Sequence, residues 1–587
     1  MHRELPPLTQ LCQSSHKAAG YRTACDVRYR HRWRRGQGSN RLRLPAHMPC
    51  CEEARRVVGR NVSWCARGTE TAVRPTSTWR EARDALLTRL DTVVHRHPQA
   101  LALSDGPHTL TYGDMWKHSA ALAARLAAAG VRPGQSVGLY GSRSAESVLT
   151  MVALFRLGAV CVPLDRTYPV DRLAMMADDG AVGLMVTDGA SAVPEDLSHL
   201  PALRAVGGDG PADAVAGPAA DAPLRPDLCY LVYTSGSTGR PKAIALPYWS
   251  LENLVSWQIG DSRATRGTRT AHFAPLSVDV SYQELLTTFG TGGHLVVVAD
   301  EVKSDPERLW RLILDSGIER LFIPFVALQI LALFLPPQER LAQARLTEVI
   351  VCGEPLRCSP DIREMFARMP RCVLTNQYGT TETHVVTAHH LGTASEEWPD
   401  LPPIGRPISS VTATLEPLTP AAGDPAPDAG ELLIGGMAAG ATYLRRPGLT
   451  AEKFVPDPAL PGGRMYRTGD LVTRDADGVL HFLGRNDDQV KIRGYRVELG
   501  EVEVALSRLP GVRQATVVAA GSESMSRFLV AFVVGDVDTG ELADSLRRRL
   551  PDYLVPSMIQ RVDAFPTTGY GKVDRRRLLS SIGVISR

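Results

Sequence analysis

Hydrophobic and polar positions alternate with two different periods along most of the chain. From Trp79 to Val94 apolar residues recur at helical spacing, which predicts an amphipathic helix. Between residues 100 and 480, short β-rich runs such as 136–141 alternate with segments of helical period such as Ser144–Leu157. This alternation is typical of parallel strands joined by crossover helices, so we predict α/β layered sheets for a large N-terminal domain.

The pattern changes near Gly484, where a compact region of short strands and helices begins. We therefore predict two folded domains, a large one over 77–483 and a small C-terminal α+β domain over 484–587. Two stretches rich in Gly, Ala, Pro and Asp, 207–226 and 419–429, are predicted to be surface loops. In the small domain the predicted strands are 515–520 and 528–534, and the predicted helices are Gly500–Leu509 and Gly540–Arg549.

Residues 1–76 form a basic leader without sustained apolar periodicity. They carry 15 Lys and Arg against 5 Asp and Glu, whereas the rest of the chain has a net charge of −7. We interpret the leader as a disordered tail or as translation from a start codon placed too far upstream. A nucleic-acid-binding arm is the alternative that the basic run 28–35 raises, and the composition also fits a transit peptide.

Composition excludes several classes of protein. The chain has 587 residues, of which 44% are hydrophobic and 22% charged, as in ordinary globular proteins. The longest apolar run, Leu321–Leu335, is shorter than the ~20 residues that a transmembrane helix needs. The ten cysteines contain no CxxC pair, and the start of the chain lacks the apolar core of a signal peptide. We therefore expect a cytoplasmic protein that binds neither membrane nor nucleic acid and has no zinc site.

A strand followed by a Gly-, Ser- and Thr-rich loop occupies residues 228–246. Glycines let a backbone approach an anion closely, hydroxyls add donors, and a lysine supplies positive charge for phosphates. The spacing differs from that of a Walker A loop, and Ala243 follows the lysine. The predicted phosphate-binding residues are Thr234, Ser235, Gly236, Ser237, Thr238, Gly239 and Lys242.

This strand and loop resemble the signature of the adenylate-forming superfamily, which contains nonribosomal peptide synthetase adenylation domains, acyl-CoA synthetases and luciferases. Further matches occur in the order expected for amino-acid adenylation domains, and together they cover about residues 77–580. They are LTYGDM (110–115), LGAVCVPLD (157–165), QYGTTET (377–383), GELLIGG (430–436), YRTGDL (466–471), GRNDDQVKIRGYRVELGEVE (484–503), LPDYLVP (550–556) and GYGKVDR (569–575).

The resemblance implies a ligase that adenylates an amino acid with ATP and Mg²⁺ and releases pyrophosphate. Glu382 is expected to hold Mg²⁺, Thr381 to contact the α-phosphate, and Lys572 to bridge the substrate carboxylate and the phosphate. Asp487 matches the hinge about which the small domain, mobile in this family, rotates. The other implied nucleotide-binding residues are Gly353, Glu354, Tyr378 on adenine, Asp470 on the ribose hydroxyls, Phe482 near adenine and Arg485 near the ribose and phosphate.

Asp279 stands where amino-acid-activating members keep a carboxylate for the substrate's ammonium group. The other pocket positions resemble those of proline-activating domains, although Cys352 and Gln377 replace the usual Ala and His. We expect L-proline or a close analogue, and Gln283 and Gln377 leave open a polar ring substituent. The pocket positions are Asp279, Val280, Gln283, Phe322, Ile350, Cys352, Gln377, Val385 and Val386.

Neither a carrier-protein signature after Lys572 nor a condensation motif occurs in the sequence. We therefore expect a free-standing enzyme of natural-product biosynthesis whose acceptor is the phosphopantetheine thiol of a separate carrier protein, with an MbtH-like helper as a further candidate partner. An acid–CoA or acid–amine ligase of the same superfamily is the alternative, followed by a non-catalytic paralogue.

Three residues, Ala243, Thr380 and Tyr248, depart from the usual motifs without removing a charged group.

Overall fold

The leader lies outside the part of the chain that the structure describes, as do most of the two predicted surface loops. This computed structural model describes residues 78–189, 192–206, 224–236, 240–417, 429–486, 489–492, 495–521, 527–566 and 573–583. All of them belong to one compact unit, Thr71–Arg587. Among them, no helix is both long and apolar enough to cross a membrane.

Strands and helices alternate through the first two thirds of the chain. The strands are β1 (Leu101–Asp105), β2 (His108–Thr111), β3 (Ser136–Gly141), β4 (Val160–Asp165), β5 (Val182–Thr187), β6 (Ala202–Arg204), β7 (Leu228–Thr234), β8 (Lys242–Pro247), β9 (Arg269–His272), β10 (His294–Val297), β11 (Arg320–Ile323), β12 (Glu348–Val351), β13 (Val373–Thr380), β14 (His384–His390), β15 (Arg406–Pro407), β16 (Val411–Pro417), β17 (Ala429–Gly436), β18 (Thr442–Tyr443), β19 (Phe454–Pro456), β20 (Arg464–Arg474), β21 (Leu480–Arg485), β22 (Gln489–Ile492), β23 (Tyr495–Glu498), β24 (Val512–Ala520), β25 (Phe528–Gly535) and β26 (Met558–Arg561). The α-helices are α1 (Trp79–Arg96), α2 (Tyr112–Ala128), α3 (Ala145–Leu157), α4 (Val170–Asp179), α5 (Tyr248–Asp261), α6 (Val280–Thr291), α7 (Asp300–Lys303), α8 (Pro306–Asp315), α9 (Phe325–Leu333), α10 (Gln338–Leu341), α11 (Pro360–Ala367), α12 (Pro447–Lys453), α13 (Leu499–Ser507), α14 (Thr539–Arg547) and α15 (Arg575–Ser581).

Two large sheets form the frame of the molecule. One has seven strands in the order β18-β8-β7-β4-β3-β5-β6, and the other has nine in the order β15-β14-β13-β12-β11-β9-β10-β1-β2. Pairing is parallel through the centre of each sheet, as between β3 and β4 and between β11 and β12. A single hydrophobic core contains side chains of both sheets and of α1, α2, α3, α5 and α6. The predicted α/β layered fold is confirmed.

The predicted helices form, with small shifts at their ends. Thr78 and Glu81 make a capping box that starts α1, and Ser144 is the N-cap of α3 rather than its first residue. In the C-terminal region α13 and α14 end two residues earlier than predicted. Pro510 and Pro551 follow these ends, and a proline disfavours the helical conformation in the residue before it.

The C-terminal region has hydrophobic cores of its own. A third sheet, built on β16-β17-β20-β19 with β21 on β20, connects the frame to the β22–β23 hairpin and to the three-stranded sheet β24-β25-β26. Two core clusters there draw only on residues from 490 onward, including Val502, Leu529 and Phe532. The boundary at residue 484 and the hinge stay predictions.

Candidate functional site

A cavity of about 330 Å³ opens where several strands of both large sheets end. Phe273 follows β9, Pro324 follows β11 and Cys352 follows β12, and each of these residues lines the cavity. Thr234 and Ser235 reach it from the end of β7. The carboxyl ends of parallel strands are the usual place for ligands in α/β sheets, because the following loops converge there.

The phosphate loop connects β7 to β8, and its described residues contact the β22–β23 hairpin and the start of α13. Ser235 Oγ donates to the Arg496 carbonyl and accepts from the Glu498 N–H, both at 2.9 Å. The Lys242 Nζ lies 3.1 Å from Glu498 Oε1, and the Gly236 N–H donates to Glu501 Oε2 at 3.1 Å. Two carboxylates thus use donors of the predicted phosphate site. Ser237, Thr238 and Gly239 lie outside the described residues, as do Asp487 and Lys572.

Glu382 is fully buried beside this loop and binds two neighbours. Arg496 Nη1 donates to both of its carboxylate oxygens, at 3.0 and 2.8 Å, and Tyr443 Oη donates to Oε1 at 2.8 Å. Burial by itself would raise the pKa of Glu382, but Arg496 and then Lys242 outweigh it and lower the pKa to about 2. Glu382 is therefore an ionised carboxylate over the whole physiological range.

Asp470 and Arg485 line the cavity as an ion pair between β20 and β21. Tyr378 is buried and donates its hydroxyl hydrogen to Asp470. Phe482 packs against the hydrophobic cluster that contains Tyr378 and does not line the cavity. The structure thus brings together the residues that the resemblance assigned to adenine and ribose.

The remaining nucleotide candidates take two positions. Gly353 and Thr381 line the cavity, and the φ of Gly353 is 90°, a conformation that favours glycine. Glu354 is buried and accepts a hydrogen bond from the Val326 N–H at 3.3 Å. Glu354 therefore supports the start of α9 in this structure.

Asp279 is placed at the cavity by the turn that begins α6, of which it is the N-terminal flanking residue. Burial raises the pKa of Asp279 to about 6, although the N–H groups of Val280 and of Asp279 itself act in the opposite direction. Among the described residues no cation offsets this effect of burial, so the carboxylate lacks a compensating positive charge. It is therefore suited to receive one from a ligand.

The other predicted pocket residues separate into two layers. Val280, Phe322, Cys352 and Val385 line the cavity beside Asp279. Behind them lie residues that are at most 1% exposed and do not line the cavity: Gln283, Ile350, Gln377 and Val386. The accessible pocket wall is apolar, and its two predicted glutamines are buried beneath it.

Sequence reasoning missed several residues of the site. Arg496 and Lys491 stand in the segment 484–503, so that motif could have identified them; Lys491 lines the cavity, and burial lowers its pKa. His384 also lines the cavity, with a φ of 58° that is unusual for a residue other than glycine. Gln258 bonds to both pocket glutamines, yet its helix carries no motif that would have singled it out.

Comparison with known families identifies the chain. Residues 90–444 match the model of the AMP-binding enzyme family, and residues 501–572 match that of the AMP-binding enzyme C-terminal domain. The chain belongs to the AMP-binding enzyme family. The predicted resemblance to the adenylate-forming superfamily is confirmed, and so is the predicted enzyme class, a ligase.

Known relatives of this AMP-binding enzyme include peptide synthetases. Tyrocidine synthase 2 of Brevibacillus parabrevis is 34% identical over 532 residues, which are 87% of this chain and 14% of that protein. Phosphinothricin tripeptide synthetase PhsC of Streptomyces viridochromogenes is 36% identical over 515 residues, 83% of this chain and 44% of that protein. The chain thus spans less than half the length of these relatives.

Solved structures of the same fold support this assignment. Holo-PA1221, a nonribosomal peptide synthetase protein with adenylation and PCP domains, has a TM-score of 0.71 and 27% identity, with 84% of each chain covered. The amide bond synthetase McbA from Marinactinospora thermotolerans also has a TM-score of 0.71, covering 85% of this chain and 99% of that one, but its identity is 24%. The likeness to McbA therefore concerns the fold alone.

Proposed function

We propose that this AMP-binding enzyme activates an amino acid. In the proposed reaction, an oxygen of the amino-acid carboxylate attacks the α-phosphorus of ATP. The bond from that phosphorus to the oxygen that bridges to the β-phosphate breaks, and pyrophosphate leaves. The product is an aminoacyl adenylate, whose acyl group then passes to the phosphopantetheine thiol of a separate carrier protein while AMP leaves.

Asp279 is the observation that carries this proposal. Its carboxylate lies at the cavity beside the apolar side chains of Val280, Phe322 and Val385, and burial raises its pKa, with no cation among the described residues to offset the charge. The α-ammonium group of an amino acid is a cation of the right size and charge, and an acid without that group would leave Asp279 unpaired. This reasoning favours an amino acid over the acids that acid–CoA and acid–amine ligases use.

The nucleotide would occupy the side of the cavity lined by Thr381, Asp470 and Arg485. Asp470 is an acceptor suited to two ribose hydroxyls, and the loop at Ser235 and Lys242 supplies phosphate donors once the carboxylates of Glu498 and Glu501 have withdrawn. Binding there requires the small C-terminal domain to move, which the predicted hinge at Asp487 would allow.

Glu382 is the residue of this site that could hold Mg²⁺. Among the described residues no group of three or more His, Cys, Asp or Glu side chains is arranged to hold a metal ion. Mg²⁺ usually binds one or two carboxylates together with substrate phosphates, so ionised Glu382 would suffice after Arg496 releases it. Bound there, Mg²⁺ would screen the phosphate charge that repels the attacking carboxylate.

Our proposed substrate is L-proline or a close cyclic relative. Asp279 would hold the secondary ammonium group, and Val280, Phe322 and Val385 would enclose the ring methylenes. Each methylene contributes about 0.8 kcal/mol when buried, so the pocket would distinguish neighbouring ring sizes only modestly.

Amino-acid-dependent exchange of pyrophosphate with ATP tests the proposal. We expect exchange with proline above that with pipecolate, valine and glutamine, and none with cyclopentanecarboxylate, which keeps the ring and carboxylate but lacks the amine. Asp279→Ala should abolish exchange with proline. Equal exchange with cyclopentanecarboxylate would favour the acid–CoA or acid–amine ligase instead, and tenfold preference for an acyclic amino acid would disprove only the proline assignment.

A further inference from the structure

Three glutamine side chains meet beneath the pocket and bond to one another. Gln283 Nε2 donates to Gln258 Oε1 at 2.7 Å and to Gln377 Oε1 at 3.0 Å. Gln377 Nε2 donates to the same Gln258 oxygen at 2.6 Å. The glutamine triad, Gln258–Gln283–Gln377, therefore joins α5, α6 and β13 through a closed ring of amides.

The triad lies directly behind the cavity wall. Gln283 follows Val280 by one helical turn, and Gln377 stands two residues before Gly379; both Val280 and Gly379 line the cavity. Each glutamine of the triad is only 1% exposed, and none of them lines the cavity.

The hydrogen bonds within the triad decide what the pocket offers to a substrate. Both N–H bonds of the Gln283 amide are engaged, and Gln377 uses its oxygen and its nitrogen within the triad. A buried amide without a hydrogen-bond partner destabilises the protein, whereas an amide that is already hydrogen-bonded needs no partner from a ligand. The two pocket glutamines that left a polar substrate open in the sequence are therefore paired with each other and with Gln258.

We propose that Gln258 is a positioning residue that holds the amides of Gln283 and Gln377 in the triad, so that the pocket selects amino acids whose side chains carry no hydrogen-bonding group. This inference rests on the proposed amino-acid activation and deepens it. Gln258 does not touch the substrate. It acts by keeping two amides from pairing with a substrate hydroxyl or amide.

Two substrate pairs test this inference in the full-length protein. Valine and threonine are isosteric, because a hydroxyl replaces a methyl group, whereas 4-hydroxyproline adds a hydroxyl to the ring of proline. In the wild-type enzyme we expect the kcat/KM of pyrophosphate exchange to be higher for the apolar member of each pair. In Gln258→Met, where the thioether fills the space but cannot accept both amides, this preference should fall about tenfold, with the KM for ATP unchanged.

Two further variants separate selectivity from general destabilisation. Asn376→Leu is the matched control, because Asn376 is a buried amide adjacent to Gln377 that donates to the Pro403 carbonyl at 2.7 Å and does not line the cavity. It should leave both preference ratios unchanged. Gln258→Glu keeps oxygens that accept hydrogen bonds from the amides of Gln283 and Gln377. This variant should therefore retain most of the wild-type preference for the apolar member of each substrate pair.

Several outcomes would overturn the inference. They are a wild-type preference for threonine and 4-hydroxyproline, an unchanged ratio in Gln258→Met, and an equal change in Asn376→Leu. Unfolding by urea provides a measurement that needs no activity: Gln258→Met and Gln377→Met should be non-additive, and additive effects would refute the triad. Absence of exchange with every amino acid would refute the proposed function, while the unfolding cycle would still decide on the triad.

Discussion

Asp279 combines a raised pKa with a place in the cavity wall, and this predicts how substrate binding depends on pH. In the proposed complex the substrate's ammonium group pairs with the ionised carboxylate, and the pKa of Asp279 is about 6. Below that pH, the KM for the amino acid should rise about tenfold per pH unit, because the carboxyl becomes neutral. Initial-rate measurements between pH 5 and 8 check this, with the KM for ATP as the internal control. A pH-independent amino-acid KM would contradict the pairing.

The same carboxyl has an opposite effect on folding. Its pKa is raised above the value of 3.8 expected without burial, so the ionised form disfavours the native state above pH 6. Asp279→Asn should therefore unfold at higher urea concentration than the wild type at pH 7. The difference should shrink as the pH falls from 6 towards 4 and close below 3.8, where the folded and unfolded states both carry a neutral group. A variant less stable at pH 7 would show that the charge has a partner.

Arg496 compensates the buried charge of Glu382, which is 0% exposed. Arg496→Gln would leave this carboxylate unpaired, and breaking a buried ion pair costs about 3–5 kcal/mol. Because the pKa of Glu382 is lowered, the ion pair of Glu382 with Arg496 stabilises the fold above pH 4.5, and this stabilisation is lost as the pH falls towards 2. Urea unfolding of the variant should show a large loss at pH 7. The matched control, Arg547→Gln, removes an exposed ion pair with Asp544 and should cost below about 1 kcal/mol.

Lys572 is the lysine to which the resemblance gives the bridging role between substrate carboxylate and α-phosphate. Lys572→Ala should lower the rate of pyrophosphate exchange by about 10²–10³ while leaving ATP binding largely intact, since one close electrostatic contact to a developing charge has this magnitude. Asp470→Ala should instead weaken ATP binding. Near-normal turnover of the lysine variant, with equilibrium binding of ATP measured alongside, would remove the proposed role.

At the scale of elements, the β22–β23 hairpin and α13 hold the phosphate loop with carboxylates where a nucleotide would place phosphates. Glu498 pairs with Lys242 at 3.1 Å, and Glu501 accepts from Gly236 while pairing with Arg172 at 2.8 Å. In the proposed reaction, nucleotide phosphates would compete with these carboxylates for the same donors. The contact would then favour the arrangement seen here over one that binds ATP.

Glu498→Gln should shift this competition towards ATP. Loss of the negative charge weakens the contact with Lys242, so the KM for ATP should fall several-fold, by about 3–10, with little change in the KM for the amino acid. Glu503→Gln is the matched control: Glu503 lies on α13, five residues after Glu498, but it bonds to Thr516 and Val517 and pairs with Arg575 within the C-terminal region. Equal effects of the two variants would argue against competition at the loop.

At the scale of the whole molecule, the described fold starts at the capping box of Thr78 and Glu81. From there α1 contributes Ala82, Leu86 and Leu90 to the large core. A chain beginning at Thr76 should therefore keep its thermal stability and its exchange activity. A chain beginning at Asp91 loses those core side chains and should lose both. Inactivity of the longer chain with an intact thermal transition would show that the leader belongs to the enzyme.

The sequence by itself determined the α/β class and about a third of the residues that line the cavity. Alternating periods along the chain reflect which face of each element is buried, so they predict sheets and helices locally. Motif residues such as Asp279 and Asp470 could be found because each sits in a run of neighbours that the family shares. Helix ends were misplaced by one or two residues, since capping groups and prolines decide them.

Only the tertiary structure decided which distant residues become partners. Gln258 joins Gln377 across 119 positions, Arg496 joins Glu382 across 114, and Glu501 meets Gly236 across 265. No local period encodes these contacts, because they depend on how sheets, helices and the C-terminal region pack. These contacts set the charges of the site: Arg496 lowers the pKa of Glu382 against the effect of burial, whereas burial raises the pKa of Asp279, for which no described cation offsets it.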